Sequence, residues 1–173
     1  MVMNSTIPSK NITDKTLAAE DFVTSYYATL NGSKGHTSLM SFYLKPTEAR
    51  PLKPQISMNG KVLPDPAALQ SAIADQPERS QYDVQSFDCH VLNTNYNVGV
   101  EDSAVGPEKD GRKMSILVLV SGSVKSIKDD VGGDTRGFTE SIILVPNWEA
   151  YSSRAPKGLR KWLISSQTFR YVL

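Results

Sequence analysis

Between residues 13 and 31 apolar side chains recur at steps of three and four. Leu17, Phe22, Val23, Tyr26, Tyr27 and Leu30 form one stripe, the spacing of an amphipathic helix. Thr13 or Asp14 is the expected N-cap, and Gly32 stands where a left-handed closing residue belongs. A shorter helix fits Thr37 to Tyr43, stopped by Pro46. Gln55–Met58 and Lys61–Leu63 flank Asn59-Gly60, the dipeptide that suits a two-residue hairpin. Asp65-Pro66 then opens a third helix, with Leu69, Ala72 and Ile73 inward and Pro77 beyond its end. Residues 1–12 read as a flexible polar tail, leaving 13–173 as one domain.

From Tyr82 the period changes to two. Tyr82–Asn93, Met114–Ser126, Gly137–Asn147 and Leu159–Leu173 read as four long strands separated by Gly-, Asp- and Lys-rich loops. Helices followed by a meander of strands define an α+β class, with helices on one face of an antiparallel sheet. A sheet with one wet face should alternate apolar and polar residues. Residues 116–120 and 142–145 do not, being apolar at every position. Ile116, Val118, Val120 and Val124, with Ile142 and Leu144, form the more uniformly apolar set and should face the helices. The opposite set is Leu117, Leu119, Ser121, Ser123, Thr139, Ser141 and Ile143, with Ser166, Thr168 and Arg170 on the last strand. Leu and Ile mixed with small hydroxyl residues and one arginine suit a protein-binding face better than open water.

Composition removes several function classes. The 173 residues carry 19 Lys and Arg against 18 Asp and Glu, a formal charge of +1, so no global field steers the chain to nucleic acid or anionic lipid. No apolar stretch approaches the ~20 residues of a membrane span, and no secretory signal is recognisable. One cysteine, Cys89, excludes an internal disulfide and fits a reducing compartment. With only His36 and His90 beside it, no zinc site is expected. Gly132-Gly133 lacks the Lys-Ser/Thr and helix start of a phosphate cradle. Around residues 148–161 two aromatics, Trp148 and Tyr151, precede Arg154, Lys157, Arg160 and Lys161. That mix allows weak RNA contact by stacking and phosphate pairing, or simply a solvated basic loop.

The order helix, short helix, hairpin, helix and four long strands resembles the nuclear transport factor two-like family. The closing segment Trp162–Tyr171 with its Phe169-Arg170, the segment Gly137-Phe138-Thr139-Glu140, and Val120–Lys125 with mid-strand Gly122 carry the likeness. Tyr82–Cys89, Ile116–Val124 and Arg136–Glu140 resemble, within that family, the small subunits of fungal heterodimeric mRNA export receptors. The resemblance implies a cone in which three helices pack on one face of a strongly bent antiparallel sheet. It also implies a non-catalytic subunit without cofactor or metal. Its expected partners are the like-folded domain of a larger export-receptor subunit and, through the complex, nucleoporin Phe-Gly repeats. Its expected place is the nucleus and nuclear pore, with shuttling to the cytoplasm.

The same cone houses two rival functions. One is a lyase or isomerase, for which Asp88 and His90, two apart on a strand face, and Glu140 with Tyr26 or Tyr27 are the candidate acid–base groups. Asp88 and His90 share a face with Ser86, while Phe87, Cys89 and Val91 take the other. Glu140 shares its parity with Phe138 and Ile142 and should therefore point inward, where a tyrosine hydroxyl or a helix N-terminus would satisfy it. The second rival is a homodimeric carrier of the small GTPase Ran.

Overall fold

The computed structural model describes residues 9–32, 39–76, 78–100, 113–128 and 131–172. Helix α1 spans Ser9–Asn31. It begins four residues before the expected cap at Thr13, since neither glycine nor proline interrupts 9–14, so residues 9–12 belong to the helix and not to a tail. Residues 1–8 of that tail lie outside the described residues. The buried stripe is Ala19, Phe22, Val23, Tyr26, Tyr27 and Leu30, and Leu17 is 54% exposed. Leu17 stands two residues before Ala19, about 200° around the helix and off the packing face.

The expected helix at 37–43 is only a 3-10 turn over Leu39–Phe42, and its first two residues are outside the described set. The turn nonetheless buries Leu39, Phe42 and Tyr43 completely or nearly so. Helix α2, Pro66–Ala74, is capped by the Asp65 carboxylate, which accepts from Ala68 N at 2.8 Å. Leu69 and Ile73 face inward, whereas Ala72 is exposed. Two α-helices and this turn therefore stand in place of three helices.

The strands are β1 (Gln55–Met58), β2 (Lys61–Leu63), β3 (Arg79–Asn93), β4 (Ser115–Lys128), β5 (Val131–Pro146) and β6 (Trp162–Val172). Asn59 (φ 51°) and Gly60 (φ 83°) make the β1–β2 turn, the conformation that Asn-Gly adopts at least cost. The six strands form one sheet in the order β2-β1-β6-β5-β4-β3. It is mixed, not antiparallel throughout, because β1 runs parallel to β6. The loop expected between Ser126 and Gly137 is mostly strand, with β4 and β5 pairing out to Lys128 and Val131. Register breaks at Val84/Ser86, Val91/Asn93, Lys125/Ile127 and Ile143/Leu144 are the bulges that bend long strands. At Gly122 a Cβ would lie 2.1 Å from the Asp83 carbonyl oxygen and 3.0 Å from the Phe138 ring. Only glycine allows β3 and that ring to approach so closely.

Ile116, Val118, Val120, Val124, Ile142 and Leu144 are all buried against α1, α2 and the 3-10 turn. A ring cluster of Tyr27, Tyr82, Phe138 and Phe169 fills the strongly bent end, with centroids 5.3–6.2 Å apart. Among the described residues no helix is both long and apolar enough to cross a membrane.

Candidate partner interface

Strand pairing arranges the outer face in rows. His90, Leu117, Ile143 and Ser166 lie side by side across β3, β4, β5 and β6. The next row is Asp88, Leu119, Ser141 and Thr168, and the third is Ser86, Ser121, Thr139 and Arg170. Ser123 lies beyond them, beside Asp83 and Gly137. All ten expected interface residues thus share one face, and alternation along each strand places the core residues on the other. Among the described residues nothing packs over Leu119, which is 42% exposed at the middle of this surface. The face is also hollowed: an open depression of about 560 Å³ lies between β3 and β6, floored by small hydroxyl side chains. Ser86 and Ser121 hydroxyls bond each other there at 2.7 Å.

One end of the face is closed. Val145 and Leu163, which continue the outer parity, are buried under Leu44 and Tyr96 in a second small core. Arg50 is buried alongside and donates from Nη1 to the Pro146 carbonyl at 3.3 Å. Loops therefore cover the face at this end, and the described loops leave the centre open.

Asp88 and His90 stand exposed on the β3 side of the open face, with His90 Nε2 3.0 Å from Asp88 Oδ2. The Cys89 backbone N–H donates to Asp88 Oδ1 at 2.7 Å. That bond, then the neighbouring imidazole, hold the carboxyl below the usual range. Cys89 itself is buried.

Glu140 points the other way and is buried. It accepts from the Tyr27 hydroxyl and from Gln167 Nε2, and Gln167 in turn donates to Tyr26 Oη at 2.7 Å and accepts from Tyr43. The expected tyrosine partner is Tyr27. Gln167 is the hub that pattern reading passed over, although its parity with Phe169 marks it as inward. Desolvation pushes the Glu140 carboxyl up to about 7, against the opposing pull of its two hydrogen bonds. Burial likewise raises the hydroxyls of Tyr26, Tyr27 and Tyr43. The inner pocket beside this network holds only about 20 Å³, about one water. Asp88 and His90 are separated from Glu140 by the thickness of the sheet, so the candidate acid–base groups do not converge. Among the described residues no group of three or more His, Cys, Asp or Glu side chains could hold a metal.

The basic loop is only partly free. Arg154, Lys157 and Lys161 are exposed. Arg160 instead lies over the Phe42 ring, 3.3 Å from its centroid, and donates from Nε to Ser41 Oγ at 3.2 Å. Trp148 is engaged too, donating from Nε1 to the Val98 carbonyl at 2.9 Å and tilting against Tyr151.

No family model and no curated protein sequence matches the chain. Solved structures do. A structure of the Chaetomium thermophilum Mex67 NTF2-like domain complexed with Mtr2 is similar at 28% identity and TM-score 0.77, covering 91% of this chain and 98% of the other. A structure of a Sac3N peptide bound to Mex67:Mtr2 is similar at 26% identity and TM-score 0.76, over 91% and 99%. Nuclear transport factor 2 (Ntf2) from Cryptosporidium parvum, at 18% identity and TM-score 0.58 over 92% and 95%, shares the fold. Element order, sheet topology and these likenesses agree: the chain has the nuclear transport factor 2-like fold and is similar to Mtr2.

Proposed function

We propose that this protein is a non-catalytic subunit of a heterodimeric nuclear mRNA export receptor. Its open sheet face docks on the like-folded domain of a larger, Mex67-like subunit. The observation that carries the reading is the uncovered three-row face centred on Leu119, in a chain similar to Mtr2 from complexes with Mex67. Leu117, Leu119 and Ile143 supply the apolar centre. Ser121, Ser123, Thr139, Ser141, Ser166 and Thr168 let a second sheet approach closely, and Arg170 stands at the rim. In the complex the protein supports passage through nuclear pores by Phe-Gly repeat binding, which places it at the nucleus and nuclear pore and in transit to the cytoplasm. A weak, sequence-independent RNA contact falls to Arg154, Lys157 and Lys161, the loop cations left exposed. The lyase or isomerase reading lacks a cavity of substrate size on the inner face. A homodimeric Ran carrier has only shared fold in its favour.

The deciding experiment is co-expression with a Mex67 NTF2-like domain. A one-to-one complex by size exclusion and light scattering is the expected outcome. A chain that stays monomeric or self-paired in the presence of that domain would overturn the proposal.

A further inference from the structure

Asp83 and Lys125 stand exposed at the end of the outer face around Ser123, and within its three rows the charged carboxylate and guanidinium are at the two sides. Asp88 stands on β3 with its carboxylate exposed, and Arg170 stands on β6. Three strand spacings separate β3 from β6, about 14 Å. The open depression of about 560 Å³ lies between them, its floor made of Ser86, Ser121, Thr139 and Ser141. Those four side chains are small, and Phe87, Leu119 and Arg170 line the hollow beside them, so the surface is concave where the small residues cluster. A docking partner must fill the hollow or trap water in it, and trapped water against Leu119 forfeits the apolar contact.

Asp88 limits what can fill it. Covering a carboxylate without an opposite charge is costly. His90 lies against only one of its oxygens, Oδ2, and the Cys89 N–H takes the other. Lys15 on α1 favours the Asp88 carboxylate from a distance, but its ammonium is bonded to the Cys89 carbonyl at 3.2 Å. The open side of the carboxylate therefore faces the hollow.

Resting on the docking face proposed above, the geometry points to Asp88 as the charge that selects and orients the partner. The hollow receives a projecting basic side chain from the partner sheet, its stem over Leu119 and its cation at Asp88. Arg170, on the far side, repels the same cation from a partner turned end for end. The face thus accepts one orientation, which identical neutral rows could not impose.

The probe is the NTF2-like domain of Chaetomium thermophilum Mex67, titrated against the full chain and its variants at several salt concentrations. Asp88→Asn should weaken binding about tenfold and flatten its salt dependence, and Asp88→Lys should weaken it about a hundredfold or more. Both variants should melt at the wild-type temperature, since the side chain is exposed. Leu119→Glu should weaken binding by about two to three and a half decades. Asp88 variants within twofold of wild type, with unchanged salt dependence, would overturn the charge selection while Leu119→Glu still upholds the face. A complex that survives Leu119→Glu removes the docking face and the inference together.

Discussion

Asn31, the last residue of α1, holds the backbone of Tyr82 with both atoms of its side-chain amide. Its Nδ2 donates to the Tyr82 carbonyl at 2.8 Å, and its Oδ1 accepts the Tyr82 N–H at 2.7 Å. β3 is an edge strand, and an open edge invites pairing with a foreign strand. The amide imitates one residue of a neighbouring strand and closes that edge, while Lys15 takes the Cys89 carbonyl seven residues further along. Asn31→Ala should cost about 2 kcal/mol in urea unfolding, because two part-buried backbone groups lose their partners. Asn31→Asp, which keeps the acceptor and loses the donor, should not recover the wild-type value.

Glu140 makes stability pH-dependent. Its carboxyl titrates at about 7 when folded, against an ordinary value of 4.5, so the folded state holds the proton more tightly than the unfolded chain. Stability is therefore full below about pH 4.5 as far as this group is concerned, falls as pH rises, and levels off above about 7. The total loss is roughly 3 kcal/mol. Glu140→Gln should stay within about 1 kcal/mol of wild type at pH 5 and exceed it at pH 8.5. Parallel denaturation curves at the two pH values check this. The rival function needs a separate activity assay: no lyase or isomerase activity should depend on Glu140, Asp88 or His90.

Leu119 and Val118 are adjacent but face opposite ways, 42% and 0% exposed. Leu119→Glu should leave melting unchanged. It should also weaken partner binding by about 3–5 kcal/mol, two to three and a half decades in dissociation constant. Val118→Glu should unfold the chain. The pair is read by melting and by complex formation on both variants. If Leu119→Glu melts as low as Val118→Glu, the face is not a surface.

With Arg160 folded over Phe42, three loop cations remain for RNA. The slope of log K against log salt for single-stranded RNA should be near −2, from about 0.7 per phosphate contact. Replacing Arg154, Lys157 and Lys161 together should remove both the binding and the slope. Arg160→Ala should instead lower thermal stability, since its guanidinium covers a core ring. Unchanged affinity in the triple variant would exclude the loop.

The long strands and the inward set Ile116 to Leu144 were legible because burial of one face writes a period of two into the chain. The outer face was legible for a subtler reason: Leu117, Leu119 and Ile143 break the alternation that water would enforce. Helix limits were less so. Nothing in residues 9–14 forbids helix, so a good cap at Thr13 or Asp14 was a signal without a consequence. At 37–43 the apolar spacing of a helix was satisfied by a single turn, because Pro46 and the descent toward β1 leave no length for more. The hollow between Asp88 and Arg170 could not be read at all. It depends on which residues of four strands stand side by side, and register is a property of the folded sheet.

The parallel pairing of β1 with β6 has a consequence for the order of synthesis. Among the described residues β6 is the last strand made, yet it lies in the interior of the sheet, between β1 and β5. As the chain leaves the ribosome, the β1–β2 hairpin waits through about a hundred residues for the strand it will pair with. Until then β5 and β1 both present unpaired edges, separated by a gap one strand wide. The proposed docking face is incomplete over the same interval, for Ser166, Thr168 and Arg170 are all on β6. On the docking proposed above, subunit pairing waits for β6, and a partner engages a finished surface or none.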